Sequence, residues 1–504
     1  MKHSYQADWQ AYAYPEDHAF LTSDQDMEAM LSAVDTANLP FPASGIPLRV
    51  AGSRVYVNNQ TENTIIYGET DSMKTRSAVR PLIAMAAGAH ESMIVTDVKG
   101  ELASDAKLHG LLARQGYQIV NMDFRTCAAD GYNVLEYPFM LYCRGQHDKA
   151  MSSVASLISA LAGKYNGTIA DPFWATMSSE QLMAVIQILF EVCSQKRRYY
   201  QYVNMLTLSA FTNEDATAQL NILVDHYMAE DSSAMTNMLR GVLSAPDKTR
   251  ASITATSASL LKDFVIQQKL LSMLSASTFS VTALYRRPTI IFMIIPDETS
   301  AYDQLAGLLI DQFYAQLIEE FTNTYQNRRQ PLCRVNLICD EFCNLHINDM
   351  RTKISISRSR QMRWFIVCQS MAQLEATYPE DAATIIGNCK NTLFLKSSDP
   401  SLLAYISQLS GLSSIGEPGA CPQRILPDHL RRLRKAWTYK EAVFLRDDVC
   451  YKAVLPDIDQ YAFLSPWPAG FYPIPAGERK PVVAYTPQRL IEDLEYGRIA
   501  IPFQ

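Results

Sequence analysis

No run of 18 or more apolar residues occurs in the 504-residue chain, so no segment reads as a membrane-spanning helix. The most apolar stretch, Thr289-Ile-Ile-Phe-Met-Ile-Ile295, has the length of a strand and stops at Pro296-Asp297. An apolar signal core is missing from the opening Met1-Lys-His-Ser-Tyr-Gln-Ala-Asp8, which argues against export. The ten cysteines form no C-x-x-C pair and the histidines no zinc-finger spacing. Neither a disulfide framework nor a zinc site is therefore expected, and the thiols read as reduced and mostly buried. Positive charge is not in excess either: 45 Lys and Arg against 52 Asp and Glu give −7, so no global field draws the protein onto nucleic acid or an anionic membrane. Any DNA contact has to be local.

What is present is a folded, soluble composition, 48% apolar and 19% charged, on a chain long enough for about three domains. Residues 1–60 read as an irregular N-terminal arm, with Pro40, Pro42 and Pro47 bounding short segments and one helix near Asp26–Val34. From Thr64 the pattern becomes strand, loop, helix, strand: Thr64–Tyr67, a helix over about 75–87, Met93–Thr96, a helix from Glu101, then Tyr117–Met122. Alternation of this kind predicts right-handed βαβ crossovers and a parallel α/β sheet. The strand signal vanishes between about 146 and 285, where Met-, Leu-, Ala- and Ser-rich helical periodicity predicts an inserted all-α domain. Strands resume at Thr289–Ile295, Val335–Cys339, Arg363–Cys368 and Asn391–Leu395, so one nucleotide-binding domain is expected from two segments, 61–145 and 286–415. Residues 416–504 read as a closing strand pair followed by a proline-rich tail.

Two local patterns carry chemistry. Val335-Asn-Leu-Ile-Cys-Asp-Glu-Phe342 is a buried strand running into two adjacent carboxylates, the pattern of a Walker B strand. There Asp340 would hold Mg²⁺ and Glu341 would polarise the water that attacks the γ-phosphate of ATP. Upstream, Gly68-Glu-Thr-Asp-Ser-Met-Lys-Thr75 follows a strand and resembles a phosphate loop, with Gly68, Thr70, Ser72, Met73, Lys74 and Thr75 as its candidate nucleotide contacts. Lys74 would supply an ammonium to the β- and γ-phosphates, Thr75 a hydroxyl to Mg²⁺, and the helix start its N–H groups. Gln369, at the end of the next strand, is placed to sense the γ-phosphate; as an isolated residue it reads equally well as a core or capping amide. Arg358 and Arg360 precede that strand and suit a nucleotide held by a neighbouring subunit, or a plain solvated face. The run Arg431-Arg-Leu-Arg-Lys435 is a surface stretch or a DNA contact.

In chain order, Met93-Ile-Val-Thr-Asp-Val-Lys-Gly-Glu-Leu102, Asn133-Val-Leu-Glu-Tyr137, Asp171-Pro-Phe-Trp174, Asp340-Glu-Phe-Cys-Asn-Leu345 and Cys368-Gln-Ser-Met-Ala-Gln-Leu374 resemble the type IV secretion coupling proteins of the TraG/TraD family. The resemblance spans about residues 60–415. It implies a RecA-like P-loop motor with an all-α insert, assembled as a homo-hexamer, that delivers relaxase-bound single-stranded DNA to a conjugative type IV secretion channel. Members of that family usually carry N-terminal transmembrane helices. Without one in this sequence, a cytoplasmic protein held at the inner face of the membrane by its partners is expected.

The phosphate loop departs from the family. Glycine is usual there at the positions of Asp71 and Met73, because the backbone approaches the phosphates with dihedrals that a Cβ disfavours, at roughly 1–3 kcal/mol per residue. Two readings follow, an ATPase motor or a nucleotide-poor docking module that recruits cargo and leaves pumping to another ATPase.

Overall fold

The computed structural model describes residues 21–163, 172–231, 233–326, 332–411 and 424–501. Asp171 of the resemblance motif, the first 20 residues of the expected arm and the stretch 416–423 lie outside them. The strands are β1 (Ser32–Asp35), β2 (Pro47–Ala51), β3 (Arg54–Val57), β4 (Thr64–Gly68), β5 (Ser92–Asp97), β6 (Gln118–Asp123), β7 (Thr289–Ile294), β8 (Val335–Cys339), β9 (Met362–Cys368), β10 (Asn391–Lys396), β11 (Tyr439–Arg446) and β12 (Val449–Pro456). Nine of them form one sheet in the order β12-β11-β10-β4-β9-β8-β5-β7-β6. The pairs from β10 to β6 are parallel, and β11 and β12 close the other edge antiparallel.

Strands β4, β5, β7, β8 and β9 are buried along their whole length, as expected of a parallel sheet covered on both faces. The two-residue period sends Ile65 and Tyr67 into one core and Ile66 into the other. Between β6 and β7 every element of the described residues is helical, from Glu136–Cys143 to Ala283–Arg286. The two strands nevertheless pair in register, Gln118 with Thr289 and Asp123 with Ile294. The helical stretch is thus looped out of a sheet whose hydrogen bonds close without it.

Residues 32–57 differ from the irregular arm that the sequence suggests. The helix is shorter, Asp24–Met30, and β1, β2 and β3 make a small antiparallel sheet. Val34, Leu48, Val55 and Val57 bury into the core that also holds Leu82 and Ala86 of the helix Arg80–Gly88. Strands of four or five residues are too short to register as an alternating pattern. Among the described residues no helix is long and apolar enough to cross a membrane.

Candidate functional site

In a parallel sheet all strand ends of one sense lie on one edge, and the three strands that carry the candidate residues are neighbours: β4, β9, β8. The chain leaves β4 at Gly68 and turns back on itself, Ser72 N–H bonding the Glu69 carbonyl at 3.1 Å. Lys74 then opens a π-helical turn, Lys74–Val79, that continues as the helix Arg80–Gly88. A Cβ on Gly68 would sit 2.5 Å from Ser72 Oγ, so the loop closes tightly only over a glycine. Thr70 is exposed on its crest and Ser72 is fully buried.

Asp71 and Met73 adopt φ 64° and 62°, the left-handed region that favours glycine. The loop therefore keeps a glycine-type backbone without the glycines, and its strain is stored in place. Asp71 is turned out of the loop: its carboxylate is 84% exposed and lies 2.5 Å from Lys435 Nζ, which also donates to the Asp71 carbonyl at 2.8 Å. That lysine holds the carboxyl below its ordinary range.

Lys74 reaches across to β8. Lys74 is buried, 9% exposed, and its ammonium is ion-paired with Glu341 Oε1, while Gln369 Nε2 donates to Glu341 Oε2 at 2.9 Å. Thr75 Oγ1 lies 3.4 Å from Asp340 Oδ2, and Thr96 Oγ1 donates to the Asp340 carbonyl at 2.8 Å. Five candidates thus meet at one edge: Lys74, Thr75, Asp340, Glu341 and Gln369. Burial pushes the Asp340 carboxyl up to about 6, with Lys74 pulling against that and the Glu341 charge adding to it. A buried carboxylate with one nearby cation is short of positive charge, the condition a divalent ion relieves. Among the described residues no cluster of three or more His, Cys, Asp or Glu side chains stands ready for a metal. A cation there would take its remaining ligands from phosphate and water, as magnesium commonly does.

Arg358 is not brought to this edge. It lies in a 3₁₀ turn, Ser357–Arg360, leading into the start of β9, whereas Gln369 follows the end of that strand. Its guanidinium is 59% exposed and 3.9 Å from Glu62, beyond the other end of β4. Arg360 lies over the Phe321 ring at 5.3 Å.

Two residues that the sequence reading named only inside longer runs belong to this site. Asp97 ends β5 and its Oδ2 accepts from Leu102 and Ala103 N–H at 2.9 and 2.8 Å. Burial drives its carboxyl up to about 6 against those N–H groups, and the structure places it beside the Asp340 charge. The signal was there, a buried strand running into Asp as β8 runs into Asp340. Lys435 could not be found this way, since 364 residues separate it from Asp71.

A family model described as Type IV secretory system Conjugative DNA transfer matches residues 16–417, most of the chain. The chain belongs to this family of conjugative DNA transfer proteins. No curated protein matches it in sequence. In structure it is similar to the bacterial conjugative coupling protein TrwBdeltaN70 in complex with sulphate, at 15% identity and TM-score 0.58 over 88% of this chain and 94% of that one. It is similar also to the plasmid coupling protein TrwB in complex with ADP and Mg²⁺, at 15% identity and TM-score 0.58 over 89% and 96%. TrwB in complex with the GTP analogue GDPNP matches at 15% identity and TM-score 0.56 over 92% and 96%. These likenesses give the chain a RecA-like P-loop fold, a mostly parallel sheet flanked by helices.

Proposed function

We propose that this coupling-family chain binds ATP and Mg²⁺ at the loop Gly68–Thr75 and hydrolyses the nucleotide, working as a hexameric motor that delivers relaxase-bound single-stranded DNA to a type IV secretion channel. The observation that carries the reading is the contact chain Lys74–Glu341–Gln369 beside Thr75–Asp340 at the ends of three adjacent strands. One feature of the loop fits a phosphate: Ser72 Oγ is buried without a hydrogen-bond partner. TrwB, of like fold, takes ADP with Mg²⁺.

Bound nucleotide supplies the transferable phosphoryl group, and the metal the charge that its oxygens need. In the chain as folded Lys74 and Glu341 neutralise each other. Parting them gives an ammonium free for phosphate oxygens and a carboxylate free to orient a water and hold its proton, with Gln369 keeping that carboxylate in place. Thr75 and Asp340 would hold Mg²⁺ between them. Arg358, exposed at the far end of β9, is assigned to the site of a neighbouring copy.

The second reading, a docking module without turnover, rests on Met73, a side chain in the loop that would carry the phosphates. Thermal shift separates the two. Millimolar Mg²⁺-ATP should raise the melting temperature by several degrees, and Lys74→Ala should abolish the rise. No rise at about ten times cellular ATP would leave only cargo docking.

A further inference from the structure

Trp437 is 91% exposed, the most exposed large apolar side chain among the described residues. None of the ring or cation contacts of the described residues involves it. A tryptophan left in water forgoes the burial that makes the residue useful to a core, so its position asks for a ligand.

The local architecture says which one. Ala436 N–H bonds the Tyr439 carbonyl at 2.9 Å, and Lys435 bridges Lys440, so residues 434–441 form a short hairpin with Trp437 and Thr438 at its tip. That tip is pinned to the phosphate loop from both sides. Lys435 grips the Asp71 backbone and carboxylate. The Thr438 carbonyl accepts from Asp457 N–H at 2.9 Å, and the Asp457 carboxylate takes two bonds, 2.6 and 2.8 Å, from Arg76, two residues past Lys74. The hairpin leads into β11, on the opposite flank of β4 from β9 and β8.

This order fixes the direction of a nucleotide. With its terminal phosphate beside Glu341 and Gln369, on the β9 and β8 flank, its nucleoside end leaves the loop toward β10 and β11. We infer that Trp437 is the stacking platform for the base of the nucleotide held by Gly68–Thr75. The inference rests on the nucleotide reading above and adds to it the residue that holds the base. A bare indole face reads no base edge, so the site takes adenine and guanine alike.

The test compares Mg²⁺-ATP, Mg²⁺-GTP and Mg²⁺-tripolyphosphate, which lacks a nucleoside, by titration calorimetry on the full chain and on Trp437→Ala and Trp437→Phe. The expected result is that Trp437→Ala weakens ATP and GTP about tenfold each, within the range of base–aromatic stacking. Tripolyphosphate should bind the variant as it binds the parent, and Trp437→Phe should recover most of the loss. Equal ATP affinity in parent and Trp437→Ala, with tripolyphosphate bound, overturns the platform and leaves the nucleotide reading standing. Failure of the parent to bind ATP and tripolyphosphate overturns both. The exposed cations Arg431, Arg432 and Arg434 nearby make single-stranded DNA the rival occupant. If Trp437→Ala loses affinity for a thymidine oligonucleotide while ATP binding holds, the tip belongs to DNA and the inference is wrong.

Discussion

At the entry edge of the sheet, where β8 and β9 begin, Glu91, Asn336 and Arg363 are buried together, with the part-exposed Arg334 beside them. Arg363, 1% exposed, gives bonds to Glu91 at 2.7 Å, Asn336 at 2.9 Å, Ser44 Oγ at 3.0 Å and the Gln60 carbonyl at 3.1 Å. Arg334 meets the other Glu91 oxygen at 3.1 Å, and Asn336 donates to the first at 2.9 Å. At the exit edge, Asp97 and Asp340 are as deeply buried but lack such guanidinium partners. The contrast shows in their protonation. Burial pushes Glu91 up, yet Arg363 and Arg334 outweigh it and hold the carboxyl below its usual range. Asp97 and Asp340 rise to about 6. One edge spends its buried charge on fixing the strands; the other leaves charge unbalanced where a ligand can balance it.

Breaking this buried set should produce the largest effect. Arg363→Ala leaves Glu91 buried with only the part-exposed Arg334, and about 3–5 kcal/mol of stability should go. The urea midpoint is the measurement. Replacing Glu91 and Arg363 together by Leu and Met should cost much less, since no lone charge remains. If Arg363→Ala costs under about 1 kcal/mol, the entry edge is no more structural than a surface pair.

At the exit edge the sign of the response should reverse. Glu341→Gln keeps the Gln369 contact within reach but removes the carboxylate, and ATP turnover should fall at least about a hundredfold with the melting temperature unchanged or higher. A variant that melts early would make Glu341 a structural residue like Glu91.

The two edges also titrate in opposite directions. Glu91, with a depressed carboxyl, contributes stability that is present above about pH 4 and is lost as pH falls through its folded value. Asp97, with a folded value near 6, holds a proton that the unfolded chain has released, so its contribution is full below about pH 4 and declines by roughly 3 kcal/mol as pH rises through 6. Glu91→Gln should flatten the acid limb of the stability curve, and Asp97→Asn the limb between about pH 4 and 6. Identical curves for parent and Asp97→Asn would mean that the two N–H bonds from Leu102 and Ala103 already balance its burial.

What the sequence disclosed follows from distance along the chain. The α/β class and the parallel sheet were legible because each strand and each loop is written within about ten consecutive residues, and burial on both faces writes it as an unbroken apolar run, while the RecA-like reading came from the family resemblance. Asp340-Glu341 and Lys74-Thr75 stand out for the same reason. The pairs that tune them do not: Asp71 with Lys435 and Glu91 with Arg363 are joined by topology alone, across 364 and 272 residues. Asp97 was overlooked although it was in view, because an acid that ends a strand looks alike whether it caps a turn or faces a ligand. The small sheet Ser32–Val57 stayed hidden because strands of four or five residues carry too few alternations to count.

Met73→Gly should have the smallest effect and sharpens the comparison most. The αL conformation at φ 62° costs a residue with a Cβ about 1–2 kcal/mol, part of which glycine returns through the freedom it gives the unfolded chain. A gain of about 0.5–1 kcal/mol in the urea midpoint is therefore expected. Nucleotide affinity should change little, because the loop already holds the dihedrals that glycine would adopt and Asp71 already faces away toward Lys435. If instead Met73→Gly tightens ATP tenfold or more, the obstacle is the Met73 side chain standing in the phosphate path rather than strain in its backbone. The exit edge would then be a site closed by one side chain, and the docking reading would apply to the chain as it stands.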